Sequence, residues 1–151
     1  MSYTNLIYHI VFRPHGSRPV IVEAHEKELY AYILGFCRAK GCVLYRIGGM
    51  PDHIHMLVSI NQSISVSDFV RELKVSTNKF IKQNREHFPD FTKWAEGYCA
   101  ISYNFRDKDM IYNYIKNQKE HHKRVGFYDE LKQMCQENGI NIDDMYFLKD
   151  R

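Results

Sequence analysis

The sequence lacks the features that mark several large classes of protein. Its four cysteines, Cys37, Cys42, Cys99 and Cys135, include no CxxC pair, and a core of this size needs no disulfides, so a reduced cytoplasmic compartment is expected. No apolar run approaches the roughly 18 residues of a membrane span, and the N-terminus shows no signal-peptide pattern, which argues against a membrane partner. With 8 Gly and 4 Pro, the chain is neither collagenous nor of low complexity. An excess of one charge is also missing. The 21 Lys and Arg against 18 Asp and Glu leave a formal +3, too weak a balance to identify a nucleic-acid binder by itself.

What is present fits one folded unit. The 151 residues and 18.0 kDa, 44% hydrophobic, suit a single domain that buries about two-thirds of its extended-chain surface. No repeat or linker divides the chain, which reads as one domain with a core over about 1–125 followed by a C-terminal helix and docking tail over 126–151. Asn5 to Phe12 reads as a first strand, rich in β-formers and ended by the Pro, Gly and Ser of the segment Arg13 to Pro19. Helical spacing of Leu29, Tyr30, Ile33, Phe36 and Cys37 marks a helix within Glu23 to Lys40, stopped by Gly41. Cys42 to Gly48 and His53 to Ile60 read as a hairpin around Gly49, Met50, Pro51 and Asp52. The clearest helix runs over Val66 to Gln83, capped by Ser65 or Ser67, with Val66, Phe69, Val70, Leu73, Thr77, Phe80 and Ile81 on one stripe. Tyr98 to Tyr103 is a fourth strand, Lys108 to about His122 a third helix, and Tyr128 to Asn138 a shorter one. Ile142 to Leu148 is an apolar tail expected to dock.

Strand, helix, strand, strand, helix, strand, helix is the order of an α+β, ferredoxin-like (split βαβ) sandwich. Its four-stranded antiparallel sheet carries helices on one face, with a C-terminal tyrosine-bearing helix in addition. That layout hosts many functions, so activity must be argued from a site.

Two local patterns supply candidates. In Pro51-Asp52-His53-Ile54-His55-Met56-Leu57 the strand period of two puts His53 and His55 on one face and Ile54 and Met56 on the other. Imidazoles about 6–7 Å apart at the backbone can converge on one metal ion. An HxH also arises by chance on the order of 0.4 times in a chain with this many histidines, and such a pair can simply hydrogen-bond. In Ile111-Tyr112-Asn113-Tyr114-Ile115-Lys116-Asn117-Gln118 the inward stripe is Ile111, Ile115 and His122. Gln118 falls within it and Tyr114 lies one turn before, so the two side chains meet. An amide in an apolar stripe needs partners. They can be backbone groups, or a metal shared with His53 and His55, over which Tyr114 would hold a nucleophilic hydroxyl. Free tyrosine, with a pKa near 10, is a poor nucleophile at neutral pH, and a divalent ion on a phosphodiester offsets that weakness.

Together, Pro51-Asp52-His53-Ile54-His55 and Tyr114-Ile115-Lys116-Asn117-Gln118 resemble the single-tyrosine HUH transposases. These are the small enzymes of insertion sequences of the IS-two-hundred kind and the related REP-associated tyrosine transposases. The resemblance spans most of the chain, including Val11-Phe12-Arg13, Trp94 to Ser102, and Gln118-Lys119-Glu120-His121-His122-Lys123. It implies that His53, His55 and Gln118 hold Mg²⁺ or Mn²⁺, and that Tyr114 cleaves single-stranded DNA to leave a 5′-phosphotyrosine link and a free 3′-hydroxyl. It also implies a cytoplasmic homodimer, nucleoid-associated when bound to DNA, that recognises hairpins at element ends, with active sites that can be composite between subunits. Trp94-Ala95-Glu96-Gly97-Tyr98 and Cys99-Ala100-Ile101-Ser102 depart from the family's more usual Trp-Gln-Glu-Gly-Tyr and Gly-Ala-Phe-Ser.

For the DNA path, Arg71, Lys74, Asn78 and Lys82 form a stripe opposite the apolar face of the second helix, which can track phosphates or simply be solvated. Lys116, Lys119, Lys123 and Arg124, beside the candidate nucleophile, form a better placed cluster. Tyr98, Tyr103 and Phe105 can stack on bases or be buried in the sheet. Three other readings stay open. A non-catalytic single-stranded DNA or RNA-binding module would be expected to show exposed RNP-type aromatics, which are not found. A metal-dependent phosphodiesterase using water would need more carboxylates near the histidines than Asp52. A domesticated relative would keep the site but serve host DNA.

Overall fold

The computed structural model describes residues 1–142. Of the expected docking tail only Ile142 falls within them. Four strands, β1 (Ile7–Phe12), β2 (Val43–Met50), β3 (His53–Ser59) and β4 (Cys99–Tyr103), form an antiparallel sheet in the order β2-β3-β1-β4. With α1 (Glu26–Ala39) between β1 and β2 and α2 (Val66–Gln83) between β3 and β4, this is the split βαβ arrangement.

The strand pleat sorts side chains between two faces. On the first face Ile10, Phe12, Ile54, Met56 and Val58 pack against Leu29, Ile33 and Cys37 of α1 and Phe69, Val70, Leu73 and Ile81 of α2. The Ser65 hydroxyl accepts from the Asp68 amide at 3.1 Å, a cap that contributes about 1 kcal/mol. Trp94 closes one end of this core. Its ring meets Phe12 at 4.9 Å and Phe91 at 5.0 Å, and its indole N–H donates to Thr77 Oγ1 at 2.9 Å. The buried polar pair explains how Thr77 can lie inside the α2 stripe.

The second face is also covered. α3 (Lys108–Lys116), α4 (Gln118–His121) and α5 (Phe127–Glu137) lie over Ile7, Val11, Leu57 and Ile101, which pack with Ile111, Ile115, Phe127 and Met134. The helix expected over 108–122 is divided at Asn117. Bonds from Asn117 N to Asn113 O at 3.1 Å and from His121 N to Asn117 O at 2.9 Å continue through the division, so the helix bends rather than stops. The apolar stripe of α5 closes onto β1 and β4. Among the described residues no helix is long and apolar enough to cross a membrane.

The β2–β3 hairpin fixes the histidine strand. Met50 pairs with His53, Gly49 with Ile54 and Gly48 with His55. A Cβ on Gly49 would lie 2.3 Å from the His53 carbonyl oxygen and 3.0 Å from Ile54 Cα, so only glycine allows the two backbones to approach this closely. Gly49→Ala is expected to cost about 1–3 kcal/mol in urea unfolding, as overpacking does, and to displace His53. An unchanged midpoint would show that the hairpin accommodates the methyl group.

Candidate metal centre and tyrosine site

His53 and His55 project from β3 toward α3–α5, and both are fully buried. Each has its Nδ1 engaged from behind: His53 by Asp52 Oδ1 at 2.7 Å, and His55 by His9 Nε2 of β1 at 2.7 Å. Such partners fix ring orientation and tautomer, and leave Nε2 as the forward-facing atom. The Phe127 ring stacks on His53 at 4.3 Å and limits its swing.

The helices bring the remaining groups. Tyr114 comes from α3, Gln118 and His121 from α4, His122 from the residue that ends α4, and Glu130 from α5. Gln118 Oε1 lies 3.2 Å from His53 Nε2. The Glu130 carboxylate, 3% exposed, is the hub. Its Oε1 lies 3.0 Å from His55 Nε2, 3.0 Å from His122 Nε2 and 3.3 Å from His53 Nε2. Its Oε2 accepts hydrogen bonds from the Tyr114 hydroxyl and from Gln118 Nε2, the latter at 3.1 Å, and lies 3.2 Å from His121 Nε2. Tyr114 is not sealed in hydrocarbon. It borders a cleft of about 280 Å³ that also touches Tyr103, Met110, His121 and Met134.

Burial and pairing set the charges. Desolvation, with His55 beside it, lowers His9 to about 3. Desolvation lowers His55 to about 4 against the opposing pull of Glu130, so both rings are neutral at physiological pH. Burial disfavours charge on His53 too, but hydrogen bonds to Asp52 and Glu130 outweigh it and raise the ring to about 8. Burial alone would raise Glu130, yet hydrogen bonds from His122, His53 and His55 outweigh that and hold it well below the usual carboxylate range. Tyr114 is pushed above its ordinary value, first by desolvation and then by the hydrogen bond to Glu130. The phenol is thus a protonated donor.

This donor set fits a divalent ion. One ligating atom each from His53, His55, His122 and Glu130 lie within 4.8 Å of one another. Bonds of about 2.0–2.2 Å to a single ion require separations below about 4.4 Å, so small side-chain shifts complete the set. Asp52→Asn, which weakens the support behind His53, is expected to lower divalent-ion affinity about 10- to 100-fold, measured by Mn²⁺ titration. Wild-type affinity in that variant would show that Asp52 serves only the hairpin turn.

Of the expected site residues, His53, His55, Tyr114 and Gln118 come together within one chain. Glu130, His122, His121 and His9 join them without having been singled out from the sequence. A signal existed for Glu130, a carboxylate on the inward stripe of Phe127, Met134 and Cys135, and for His122, one turn after Gln118. His9 showed none, because its contact with His55 spans 46 positions.

The cationic residues divide. Lys74 is engaged within the chain: its ammonium donates to the carbonyls of Ala95, Glu96 and Gly97 at 2.8, 2.8 and 3.0 Å. These contacts tie α2 to the loop before β4. Lys119, half-buried, bonds Glu26 at 2.7 Å and ties α4 to α1. Arg71 pairs with Asp68 at 3.1 Å and Lys123 with Glu120 at 3.0 Å, but these are exposed pairs of the weak, exchangeable kind. Lys82, Lys116 and Arg124 are exposed.

A histidine pair on a central antiparallel strand, covered by a helix that offers a tyrosine and, four residues later, a glutamine, defines the single-tyrosine HUH class. Comparison with known proteins gives the family. The family described as "Transposase IS200 like" matches residues 2–118, and the chain belongs to it. The chain is 30% identical over 129 residues to the transposase for insertion sequence element IS200 of Salmonella typhimurium strain LT2, covering 79% of this chain and 80% of that one. It is 24% identical over 119 residues to the ISDra2 transposase TnpA of Deinococcus radiodurans, covering 76% and 85%. Among solved structures, a candidate transposase from Deinococcus radiodurans R1 superposes with a TM-score of 0.61 at 23% identity, covering 78% of this chain and 93% of that one. A REP-associated tyrosine transposase bound to a REP hairpin also gives 0.61, at 15% identity over 83% and 73%. The chain is therefore a transposase with this family's α+β fold.

Proposed function

We propose that this transposase cleaves and rejoins single-stranded DNA through a covalent bond between Tyr114 and a 5′-phosphate, recognises hairpins at the ends of its element, and uses Mg²⁺ or Mn²⁺. One observation carries the reading: the Tyr114 hydroxyl lies at a cleft, one carboxylate away from the forward-facing nitrogens of His53 and His55. The solved relative bound to a REP hairpin supports a folded DNA strand as the substrate.

The chemistry follows from the groups present. The phenol oxygen attacks phosphorus and the bond to the 3′ oxygen breaks, which leaves a 3′-hydroxyl and a phosphotyrosine diester. Because one diester replaces another, a 3′-hydroxyl can reverse the step without a nucleotide cofactor. A divalent ion held by His53, His55 and Gln118 would supply charge neutralisation on the phosphoryl oxygens. His9 and Asp52 keep the two imidazoles oriented, while Gln118 places its amide between His53 and Glu130. Lys116, Lys123 and Arg124 offer charge for the phosphate backbone beside the tyrosine, and Lys82 and Arg71 offer it on α2, across the sheet. A homodimer remains part of the reading, but no second chain is needed to bring Tyr114 to the histidines. The finding of Glu130 beside them favours one rival, a phosphodiesterase that uses water, and the test below separates the two.

Tyr114→Phe is expected to abolish denaturation-resistant adducts with labelled hairpin DNA in Mn²⁺ while leaving hairpin binding intact. Adducts that persist would move the nucleophile to Tyr112, and cleavage that persists without adducts would favour water. Replacing Lys116, Lys123 and Arg124 by Ala is expected to lower the salt slope of single-strand binding by about 0.7 for each phosphate that is no longer neutralised. An unchanged slope would place the DNA elsewhere.

A further inference from the structure

Glu130 does more than fasten α5 to the sheet. A buried carboxylate is tolerated only where partners replace its water, and an apolar residue would complete the stripe of Phe127, Met134 and Cys135 at lower cost. Instead the two oxygens of Glu130 face different groups. Oε1 is the shared neighbour of three imidazole nitrogens, at 3.0, 3.0 and 3.3 Å. Oε2 accepts the hydroxyl hydrogen of Tyr114.

We infer that Glu130 is a catalytic residue shared between the ion and the nucleophile. Its Oε1 enters the ion's donor set together with His122, and its Oε2 orients Tyr114 and accepts its proton. The inference rests on the reading of Tyr114 as nucleophile and adds a route for the proton. As the phenol oxygen bonds to phosphorus, its hydrogen passes to Glu130 Oε2. The electron pair of the breaking P–O3′ bond stays on the departing oxygen, which takes a proton from solvent, and Glu130 returns its own proton to solvent. Rejoining runs the same transfers in reverse. The set also bears on which ion is held. Three imidazoles and a carboxylate suit a transition ion such as Mn²⁺, whereas Mg²⁺ favours oxygen donors and retained waters.

The test uses the full chain and Mn²⁺ alone, with free ion read by electron paramagnetic resonance and folding checked by melting in EDTA. Glu130→Gln keeps the shape and removes the charge. It is expected to weaken Mn²⁺ at least 10-fold and, at saturating Mn²⁺, to lower the adduct yield with hairpin DNA at least 100-fold. Wild-type protein is expected to bind Mn²⁺ more tightly than Mg²⁺. If Glu130→Gln does not fold, Glu130→Asp, which keeps the charge but shortens the reach, is expected to weaken Mn²⁺ at least 3-fold and to lower adduct yield at least 10-fold. Mn²⁺ binding within 2-fold of wild type in the folded variant, while His55→Ala binds none, overturns the role of Glu130 and leaves the tyrosine reading standing. Failure of the wild-type protein to bind Mn²⁺ overturns the role of Glu130, and failure to bind either Mn²⁺ or Mg²⁺ overturns the metal-dependent tyrosine reading as well.

Discussion

One buried carboxylate organises the second face of this protein. His53, His55, His121, His122, Gln118 and Tyr114 all have an atom within hydrogen-bonding or ion-pairing reach of Glu130. A charge 3% exposed to solvent persists because so many donors replace the water it has lost, and those donors are held in place by the same contacts. The orientation of α5, the bend at Asn117 and the forward aim of the strand histidines all meet at this point. A polar network of this kind is stable only when nearly every member is satisfied, which ties the precision of the site to the packing of three helices.

The two faces of the sheet divide the work. Ile54, Met56 and Val58 belong to the apolar core with α1 and α2, while His53, His55 and Leu57 alternate with them and face α3–α5. The pleat of a single strand thus separates structural burial from chemistry by one residue step. The tight contact at Gly49 and the support from Asp52 and His9 show how backbone and neighbouring side chains remove freedom from the imidazoles before any ligand arrives.

Much of this was legible along the chain. α2 runs over Val66–Gln83 as its stripe required, because eighteen residues of helical period with a serine cap leave little room for another structure. The histidine pair and the Tyr114–Gln118 pair were legible for the same reason: each depends only on the local period of its element. Lys74 was not. Its position opposite the apolar stripe is local information, but the three carbonyls that hold its ammonium come from a loop more than twenty residues later. His9 was hidden because its partner lies 46 positions away, and although the inward position of Glu130 could be read from its helix, its contact with His55, 75 positions away, could not.

The sequence by itself determined the strand and helix order, the face on which each histidine stands, and the pairing of a tyrosine with a glutamine one helical turn later. These follow from backbone geometry, which repeats every two or 3.6 residues and can be read from spacing alone. Only the tertiary structure decided that α3–α5 close over the histidine face, that the tyrosine meets the histidines within one chain through Glu130, and which lysines remain exposed. Those outcomes depend on how far-separated segments pack, and on the desolvation and pairing that packing imposes on each charge.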